Sequence, residues 1–307
     1  MNYLLEPVIG ICRFSFCGRG DWAAYSDVTS DTDIDQLRLE QAERLYDDAR
    51  MALRFYLFEN FLLPSLRAQK DPHFVLIVLT SDIMPAKHLK RLRTLCDTDA
   101  RLMLVVSDAT SVHDALMPEI ARLNSGLARP LVQFRIDDDD CLSHDYVHEL
   151  RRYMQRLGDV MPLGYSRSNG LVVTSYTQDG ATHLYRATVP FNSMGTAIRI
   201  HGDRTIFSFG HAALLRRFPA MVDNAGMGFL SIKIDGHDSR PISMDEHVFR
   251  RAHTPVSDDE ANTILSKWFG FLGDADSDRR LALVHRVETA AALGRVSVPK
   301  PRRLKAV

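Results

Sequence analysis

The chain is poor in cysteine and has no excess of charge of either sign. Cys12, Cys17, Cys96 and Cys141 are scattered without a CxxC pair, which argues against a zinc knuckle and gives no reason to expect disulfides. Lysine and arginine number 38 against 39 aspartates and glutamates, a formal net charge of −1. No overall field attracts nucleic acid or an acidic membrane surface, so we expect no nucleic-acid partner.

Long apolar runs are also missing. No stretch can span a bilayer, and the first residues lack a basic segment followed by a long apolar one. We therefore expect a cytoplasmic protein. With 307 residues and a 45% hydrophobic fraction, the chain can build one large α/β domain with a tail or two smaller domains.

Short apolar runs alternate with helical stretches in the first half. Strands are predicted at 7–14, 73–79, 101–106 and 131–136. Helices are predicted at 37–66, where Pro64 marks a kink or a restart, and at 85–95 and 111–127. This alternation predicts a mostly parallel sheet, with its ligand crevice beyond the carboxyl ends of the strands.

The second half is richer in β-structure. Residues 171–176 and 183–187 resemble a hairpin, joined by the turn Gln178-Asp179-Gly180. Further strands are predicted at 197–200, 205–208 and 229–234, and a short helix at 211–218. Residues 164–170 are interpreted either as an ordinary turn or as a segment that shapes an acceptor side.

Beyond Ser257 the chain is mostly helical and charged, and its end is basic and broken by prolines. The basic side chains of this tail are Lys300, Arg302, Arg303 and Lys305. Such a tail is either solvated or makes peripheral contact with anionic lipid at the inner membrane face.

Four consecutive aspartates, Asp137, Asp138, Asp139 and Asp140, directly follow the apolar run 131–136. Carboxylates this close repel one another unless a cation lies among them, so the block predicts a divalent metal and phosphate chemistry. A solvated acidic turn that caps the next helix is the alternative, and the strand context disfavours it. On this interpretation Asp139→Asn should relieve repulsion in the metal-free protein and leave the fold intact.

Several motifs together resemble a known family. They are Arg13-Phe14-Ser15, the segment 62–74, Thr80-Ser81-Asp82, and Phe134-Arg135-Ile136 with the four aspartates. Over roughly residues 8 to 250 the chain resembles the rhamnosyltransferases of the GT-A type, which depend on nucleotide-sugars. The resemblance implies a GT-A fold, an activated-sugar donor and an Asp-x-Asp metal motif.

The expected organisation follows from this resemblance. We expect one GT-A-like α/β domain over 1–255 with a mostly parallel sheet flanked by helices. Its nucleotide-sugar-binding half covers 1–145 and its β-rich acceptor half covers 146–255. A helical, basic extension over 256–307 completes the chain.

The chemistry of a glycosyl donor assigns roles to the aspartates. A metal stabilises the charge that develops on the leaving diphosphate. Asp137 and Asp139 are predicted as the pair that binds the metal and the ribose side, and Mn²⁺ or Mg²⁺ suits such oxygen ligands. Asp140 is expected to contact the donor sugar or support the ligands, whereas Asp138 should point to the opposite face of the strand.

His237, flanked by Asp235 and Asp238, is predicted as a third metal ligand. A structural role for His237, or ligation by His211 instead, is the alternative. The residues expected to bind the donor are Arg13, Asp82, Asp108, Arg135, Asp137, Asp138 and Asp140.

Alternatives exist for the donor-binding residues. The Arg13 guanidinium matches phosphate oxygens, and a surface salt bridge is the other interpretation. Asp82 and Asp108 either bind the base or ribose or cap the helices that follow them.

An inverting reaction also needs a carboxylate that accepts the proton of the attacking hydroxyl. Asp245 and Glu246 near a helix start are the candidates, although Ser243 with Glu246 also fits a capping box.

The sequence thus predicts transfer of a hexosyl group, with a deoxyhexose such as rhamnose as one candidate, from a nucleotide-diphospho-sugar to a polysaccharide or glycolipid. One alternative is a sugar nucleotidyltransferase, which needs a glycine-rich basic loop after the first strand. Phe16-Cys17-Gly18-Arg19-Gly20 is a poor version of that loop. The other is a non-catalytic module that binds a sugar or a cation.

Overall fold

The computed structural model describes residues 7–18, 31–201, 204–237, 241–273 and 278–296. Asp238, the segment 19–30 with Arg19 and Gly20, and the basic tail lie outside these residues, so the membrane contact expected of the tail stays a prediction. Within the described residues, no helix combines the length and the apolar character needed to cross a bilayer.

Four parallel strands form the first half of the sheet. They are β1 (Val8–Arg13), β2 (Phe74–Ser81), β3 (Leu102–Ser107) and β4 (Val132–Asp137). They lie in the order β3-β2-β1-β4, so the chain moves outward from β1 to β3 and then returns to the other side of β1. The direction of winding therefore reverses between β1 and β4, and a crevice is expected beyond their carboxyl ends.

The helices of this half are α1 (Asp31–Leu45), α2 (Asp48–Leu57), α3 (Leu63–Arg67), α4 (Ala86–Cys96) and α5 (Val112–Asn124). The single helix predicted at 37–66 is divided, because the Asp47 carboxylate accepts hydrogen bonds from the N–H groups of Ala49 and Arg50 and caps a new helix. A π-helical turn at Phe58–Leu62 precedes α3. Pro64 lies in the first turn of α3. Leu62 and Leu63 have helical backbone angles and no side chain caps α3, so the helix continues through this point and does not restart at Pro64.

The second half of the sheet is mixed. Its elements are β5 (Asp140–Leu142), α6 (Tyr146–Arg156), β6 (Leu163–Ser175), β7 (Thr182–Thr188), β8 (Ala197–Arg199), α7 (Leu214–Arg217) and β9 (Ala220–Ile234). Strand β8 joins β4 to β6 and is antiparallel to both. Strand β6 pairs antiparallel with β7, as the predicted hairpin, and parallel with β9, and β9 also pairs with β5. The predicted α/β fold with a β-rich second half is confirmed.

Two segments differ from their predicted structure. Residues 164–170 are not a turn but part of β6, where they pair with strands on both sides. Residues 205–208 are not a strand but contain a 3₁₀ turn, Ile206–Ser208. Thr205 Oγ1 accepts a hydrogen bond from the Phe207 N–H, and Ser208 Oγ accepts one from the Thr205 N–H. These local side-chain bonds compete successfully with strand formation.

Helices cover both faces of the parallel half, as the apolar strands predict. Val8 and Cys12 of β1 belong to a core closed by α1, α2, α4 and α6. Ile9 and Ile11, which alternate with them, belong to a second core closed by α5 and α7. Gly10 leaves no room for a side chain, because an added Cβ would lie 2.4 Å from the Phe134 ring.

The chain ends with α8 (His247–Ala252), β10 (His253–Pro255), α9 (Asp258–Trp268) and α10 (Arg279–Arg295). Strand β10 extends the sheet beside β7. Leu265 of α9 and Val287 of α10 are buried with Leu53 of α2 and Ile232 of β9. The helices predicted beyond Ser257 are therefore present and share a core with the domain.

Candidate functional site

The carboxyl ends of β1 and β4 lie side by side, at the point where the direction of winding reverses. Arg13 and Asp137 are direct neighbours in the register of these strands. Nη2 of Arg13 lies 3.6 Å from Oδ1 of Asp137, and Nη2 of Arg135 lies 3.8 Å from the same oxygen. The Asp137 carboxylate thus lies beside two guanidinium groups at the carboxyl ends of β1 and β4, where the crevice is expected.

An aromatic ring holds these two arginines. The centroid of the Phe207 ring lies 4.9 Å from Cζ of Arg13 and 4.8 Å from Cζ of Arg135, distances typical of cation–π contacts. The turn that carries Phe207 is tied to β4, because Gln133 Oε1 accepts a hydrogen bond from the Ile206 N–H at 2.9 Å. We call Arg13, Arg135, Asp137 and Phe207 the strand-end cluster.

His211 lies within electrostatic range of this cluster. Burial and the positive charge of Arg135 lower the pKa of His211, while Asp137 acts in the opposite direction. The histidine considered as a rival metal ligand therefore belongs with the arginines. Its neutral form is favoured there, first by burial and then by the two guanidinium groups, which oppose a third positive charge.

The next two aspartates are held by an arginine of α2. Nε of Arg54 donates to Oδ2 of Asp138 at 3.0 Å, and Nη1 donates to Oδ2 of Asp139 at 3.2 Å. A further ion pair joins Nη2 of Arg54 to Asp138, whose side chain is fully buried. The cation that the carboxylate block requires is supplied at this point by the protein itself.

Asp139 also faces the histidine predicted as a metal ligand. Nδ1 of His237, three residues beyond the end of β9, lies 3.4 Å from Oδ2 of Asp139. Burial alone would raise the pKa of Asp139, but Arg54, His237 and Lys233 outweigh it and hold that pKa well below its usual range. Asp139 is therefore ionised at neutral pH, the form in which a carboxylate binds a cation.

Asp140 has the opposite character. It pairs with Ser231 between β5 and β9 and is buried. Burial and the neighbouring charge of Asp139 raise the pKa of Asp140 well above its usual range, against the effect of Lys233. The Asp140 side chain is almost fully buried, and its contact with a donor stays a prediction.

Two of the three predicted metal ligands are adjacent. In an octahedral site with bonds of about 2.1 Å, neighbouring donor atoms lie roughly 3 Å apart, and Asp139 Oδ2 and His237 Nδ1 are 3.4 Å apart. Asp137 faces the arginines instead. Across the described residues, no three His, Cys, Asp or Glu side chains converge on one point. The spacing of this pair is compatible with two adjacent ligands of one ion, and the metal itself stays a prediction.

Asp82 and Asp108 follow the ends of β2 and β3 but cap no helix. Asp82 accepts a hydrogen bond from Nη2 of Arg38 at 2.7 Å, and Asp108 is exposed. Helix α5 is capped by Ser111, and α4 has no side-chain cap. The capping interpretation of both aspartates is wrong, and their binding to a base or ribose stays a prediction.

The candidate bases precede α8. Glu246 itself occupies the N-cap position, so the capping box expected from Ser243 does not form. Ser243 Oγ instead accepts a hydrogen bond from the Asp245 N–H at 3.4 Å, and the Asp245 side chain is exposed. The assignment of Asp245 or Glu246 as general base stays a prediction.

Sequence reasoning missed Arg54, Phe207 and Lys233. A charged residue in an amphipathic helix suggests a solvent-facing position for Arg54, and the strand pattern at 205–208 concealed Phe207. Lys233 gave one signal: it interrupts the apolar end of β9, between Ile232 and Ile234. A strand of alternating faces turns such a residue away from the core.

Comparison with known proteins gives a family and distant structural similarities. A family model described as "Putative rhamnosyl transferase" matches residues 7–246. No curated protein matches the chain. Among solved structures, S. aureus TarS 1-349 is 9% identical with a TM-score of 0.35, over 73% of this chain and 60% of that chain.

Two further solved structures have a similarly low sequence identity and TM-score to this chain. TarS 1-349 in complex with UDP is 9% identical with a TM-score of 0.32, over 78% of this chain and 68% of that one. A "putative nucleotide-diphospho-sugar transferase" from Desulfovibrio desulfuricans G20 is 10% identical with a TM-score of 0.34, over 94% and 97% of the two chains.

Proposed function

This chain belongs to the rhamnosyl transferase family, and on that premise we propose that it transfers a hexosyl group from a nucleoside-diphosphate sugar to a polysaccharide or glycolipid. Rhamnose is one candidate for the sugar. The observation that supports the proposal best is the arrangement of charges at the reversal of the sheet. Cationic and anionic side chains meet there at the crevice where α/β proteins bind nucleotides.

The strand-end cluster suits the diphosphate of a donor. Arg13 and Arg135 present two guanidinium groups that can pair with phosphate oxygens. Phe207 restricts their movement, so less side-chain freedom is lost on binding. Asp137 lies beside them and is assigned to the ribose hydroxyls.

Asp139 and His237 are assigned to Mn²⁺ or Mg²⁺. When bound, the ion would neutralise the negative charge that develops on the leaving diphosphate. Arg54 keeps Asp139 ionised and fixes its orientation, and the buried Asp138 holds Arg54 in turn. Asp245 and Glu246 are the candidates for the group that accepts the proton of the acceptor hydroxyl.

A thermal-shift screen tests this proposal. UDP, GDP, TDP and their sugars are added in Mn²⁺ or in chelator, and a ligand at about 100 times its Kd should stabilise the folded protein by about 2.7 kcal/mol. His237→Ala should remove the part of this stabilisation that requires Mn²⁺ and leave the rest. Asp97→Asn, at an exposed position on the far end of α4, is the matched control.

The protein should also hydrolyse the nucleotide-sugar that stabilises it. This hydrolysis should require Mn²⁺, should be lowered by His237→Ala and should be unchanged by Asp97→Asn. The proposal fails if no nucleoside diphosphate or nucleotide-sugar raises the unfolding temperature. The metal assignment alone fails if His237→Ala weakens binding equally in Mn²⁺ and in chelator.

A further inference from the structure

The segment between β8 and β9 carries exposed arginines beside the strand-end cluster. Arg204, Arg216 and Arg217 are exposed. None of the three forms an ion pair with a carboxylate of the described residues. Because the chain as a whole is almost neutral, this is a local concentration of positive charge and not part of a general field.

Two of these arginines flank a fixed aromatic ring. The centroid of the Phe209 ring lies 5.6 Å from Cζ of Arg204 and 5.8 Å from Cζ of Arg217. Phe209 is buried and packs edge-on against Phe218, with 5.0 Å between ring centroids. Both guanidinium groups therefore lie against the same buried ring, and each can pair with an oxyanion.

The same segment reaches the proposed donor site. Phe207 contacts Arg13 and Arg135, only two residues before Phe209. The segment is anchored at its start, because Gln133 Nε2 donates to the carbonyl oxygen of Arg204 at 3.2 Å. One short, tethered stretch thus joins the exposed arginines to the end of β4.

We propose that this stretch binds the acceptor and that the acceptor is anionic, a glycan whose units carry phosphate or carboxylate groups. The inference rests on the proposed function. The attacking hydroxyl must approach the sugar next to the donor diphosphate, so the rest of the acceptor extends over the surface that surrounds the cluster. Arg204, Arg216 and Arg217 form that surface on the side of Phe207.

A polar polymer fits this surface better than a bilayer does. Phe207 packs against Arg13 and Arg135, and Phe209 packs against Phe218. Neither ring projects from the surface as an apolar membrane anchor would. Leu215, 45% exposed, is the one large apolar side chain that the described part of this stretch exposes. Stable membrane insertion of a surface segment needs a wider apolar face.

Binding of defined polymers to the full-length protein tests the inference. The probes are inorganic polyphosphate, oligogalacturonate, neutral dextran and anionic phospholipid vesicles. The test variant is Arg204→Gln/Arg217→Gln. Its control, Arg93→Gln/Arg156→Gln, removes the same charge from exposed positions on α4 and α6. Binding of UDP, GDP and TDP is measured on the same samples.

The wild type should bind polyphosphate or oligogalacturonate, more weakly at high salt, and should not bind dextran. The test variant should lose about tenfold in affinity, as expected for two charge-assisted contacts, while the control stays within about twofold. Whichever polymer shows the difference identifies phosphate or carboxylate as the recognised group. Nucleoside diphosphate binding should be unchanged in both variants.

Equal losses in the two variants, or no binding of either polyanion, would overturn the inference. The inference would also be overturned if the wild type bound anionic vesicles more tightly than either polyanion and only the test variant lost that binding. The surface would then be assigned to a membrane. If the wild type binds no nucleoside diphosphate, the proposed function itself fails. If it does bind one and the arginine pair has no effect, only the anionic acceptor is lost.

Discussion

At the scale of single residues, Arg54 compensates two of the four adjacent carboxylates. It bridges Asp138 and Asp139 from α2, while Arg13 and Arg135 serve Asp137. Three of the four aspartates are thus compensated without a metal, and the fourth is buried with a raised pKa. The repulsion inferred from the sequence is reduced by these ion pairs and by the raised pKa of Asp140, which favours its neutral form.

Asp139→Asn should abolish the Mn²⁺-dependent part of nucleoside diphosphate binding. Because Asp139 is paired with Arg54 in the metal-free protein, we also expect a loss of about 2 kcal/mol in the free energy of unfolding. This is the reverse of the relief expected from the sequence. Calorimetric titration in Mn²⁺ and in chelator, with urea unfolding of the metal-free protein, measures both effects. Wild-type metal dependence in the variant would disprove the assignment.

Phe207→Leu should weaken nucleotide binding whether or not Mn²⁺ is present, unlike Asp139→Asn. The substitution removes two cation–π contacts, each worth about 0.5–1 kcal/mol at a partly exposed site, and frees Arg13 and Arg135 to move. We expect an affinity for the diphosphate that is about five- to thirtyfold weaker, as a loss of about 1–2 kcal/mol implies, and that falls equally in Mn²⁺ and in chelator. Phe271→Leu, outside the cluster, is the control. A loss confined to Mn²⁺ would contradict this role.

At the scale of secondary-structure elements, α10 positions the loop that carries His237. A Cβ added to Gly294 would lie 2.1 Å from the carbonyl oxygen of Asp235, so helix and loop are in direct backbone contact. From the other side, Asp235 Oδ2 accepts hydrogen bonds from the N–H and the hydroxyl of Thr177 at 2.7 and 2.6 Å. The loop is thereby held between α10 and the β6–β7 turn.

Gly294→Ala should therefore displace His237. Overpacking of this kind costs about 1–3 kcal/mol of stability, and Mn²⁺-dependent nucleotide affinity should fall while affinity in chelator is retained. Gly270→Ala is the matched control, because the nearest atom to its added Cβ is Arg279 Nη1 at 3.7 Å. An equal fall in both conditions would mean that α10 acts on the whole fold and not on His237.

A buried ion pair joins α6 to the loop before β2. Nε of Arg151 donates to Oδ2 of Asp71 at 2.7 Å, and Asp71 Oδ1 accepts from the His73 N–H at 3.0 Å. Burial would raise the pKa of Asp71, but the hydrogen bond from Arg151 and the other favourable contacts lower it overall. Asp71 therefore stabilises the fold in its ionised form.

Asp71→Asn should cost about 3 kcal/mol at pH 7, because it leaves Arg151 buried without its partner. The native pKa lies below the unfolded value of about 3.9, so the contribution is complete above that value. It is lost as the pH falls through the native pKa. Urea unfolding at pH 7, 5 and 3 should show the difference between the proteins shrinking only in the last step. A difference that disappears already at pH 5 would contradict the sign of the shift.

At the scale of the whole molecule, the C-terminal helices complete a third core, the one that contains Leu53 of α2 and Ile232 of β9. The large buried apolar side chains that α9, α10 and the segment between them contribute to this core are Ile264, Leu265, Phe269, Leu272, Leu283 and Val287. At about 2 kcal/mol for each fully buried side chain, their loss would equal the total stability of a typical domain, about 5–15 kcal/mol.

Truncation after Val256 should therefore yield a protein without a cooperative thermal transition in near-ultraviolet circular dichroism. Truncation after Val296 removes none of these side chains and should unfold like the full chain. A cooperative transition in the shorter protein would show that the first 256 residues fold alone.

The sequence by itself determined the four parallel strands, the β6–β7 hairpin, most helices and the polar ends of β1, β2, β3 and β4, because alternation, apolar runs and caps depend on neighbouring residues. Only the tertiary structure decided which charges meet. Arg54 and Asp138 are 84 residues apart, and His237 meets Asp139 only because β9 pairs with β5. Phe207 contacts Arg13 through a turn whose own hydrogen bonds overrode its strand pattern. Such contacts depend on how helices pack on the sheet, and local propensity carries no information about that.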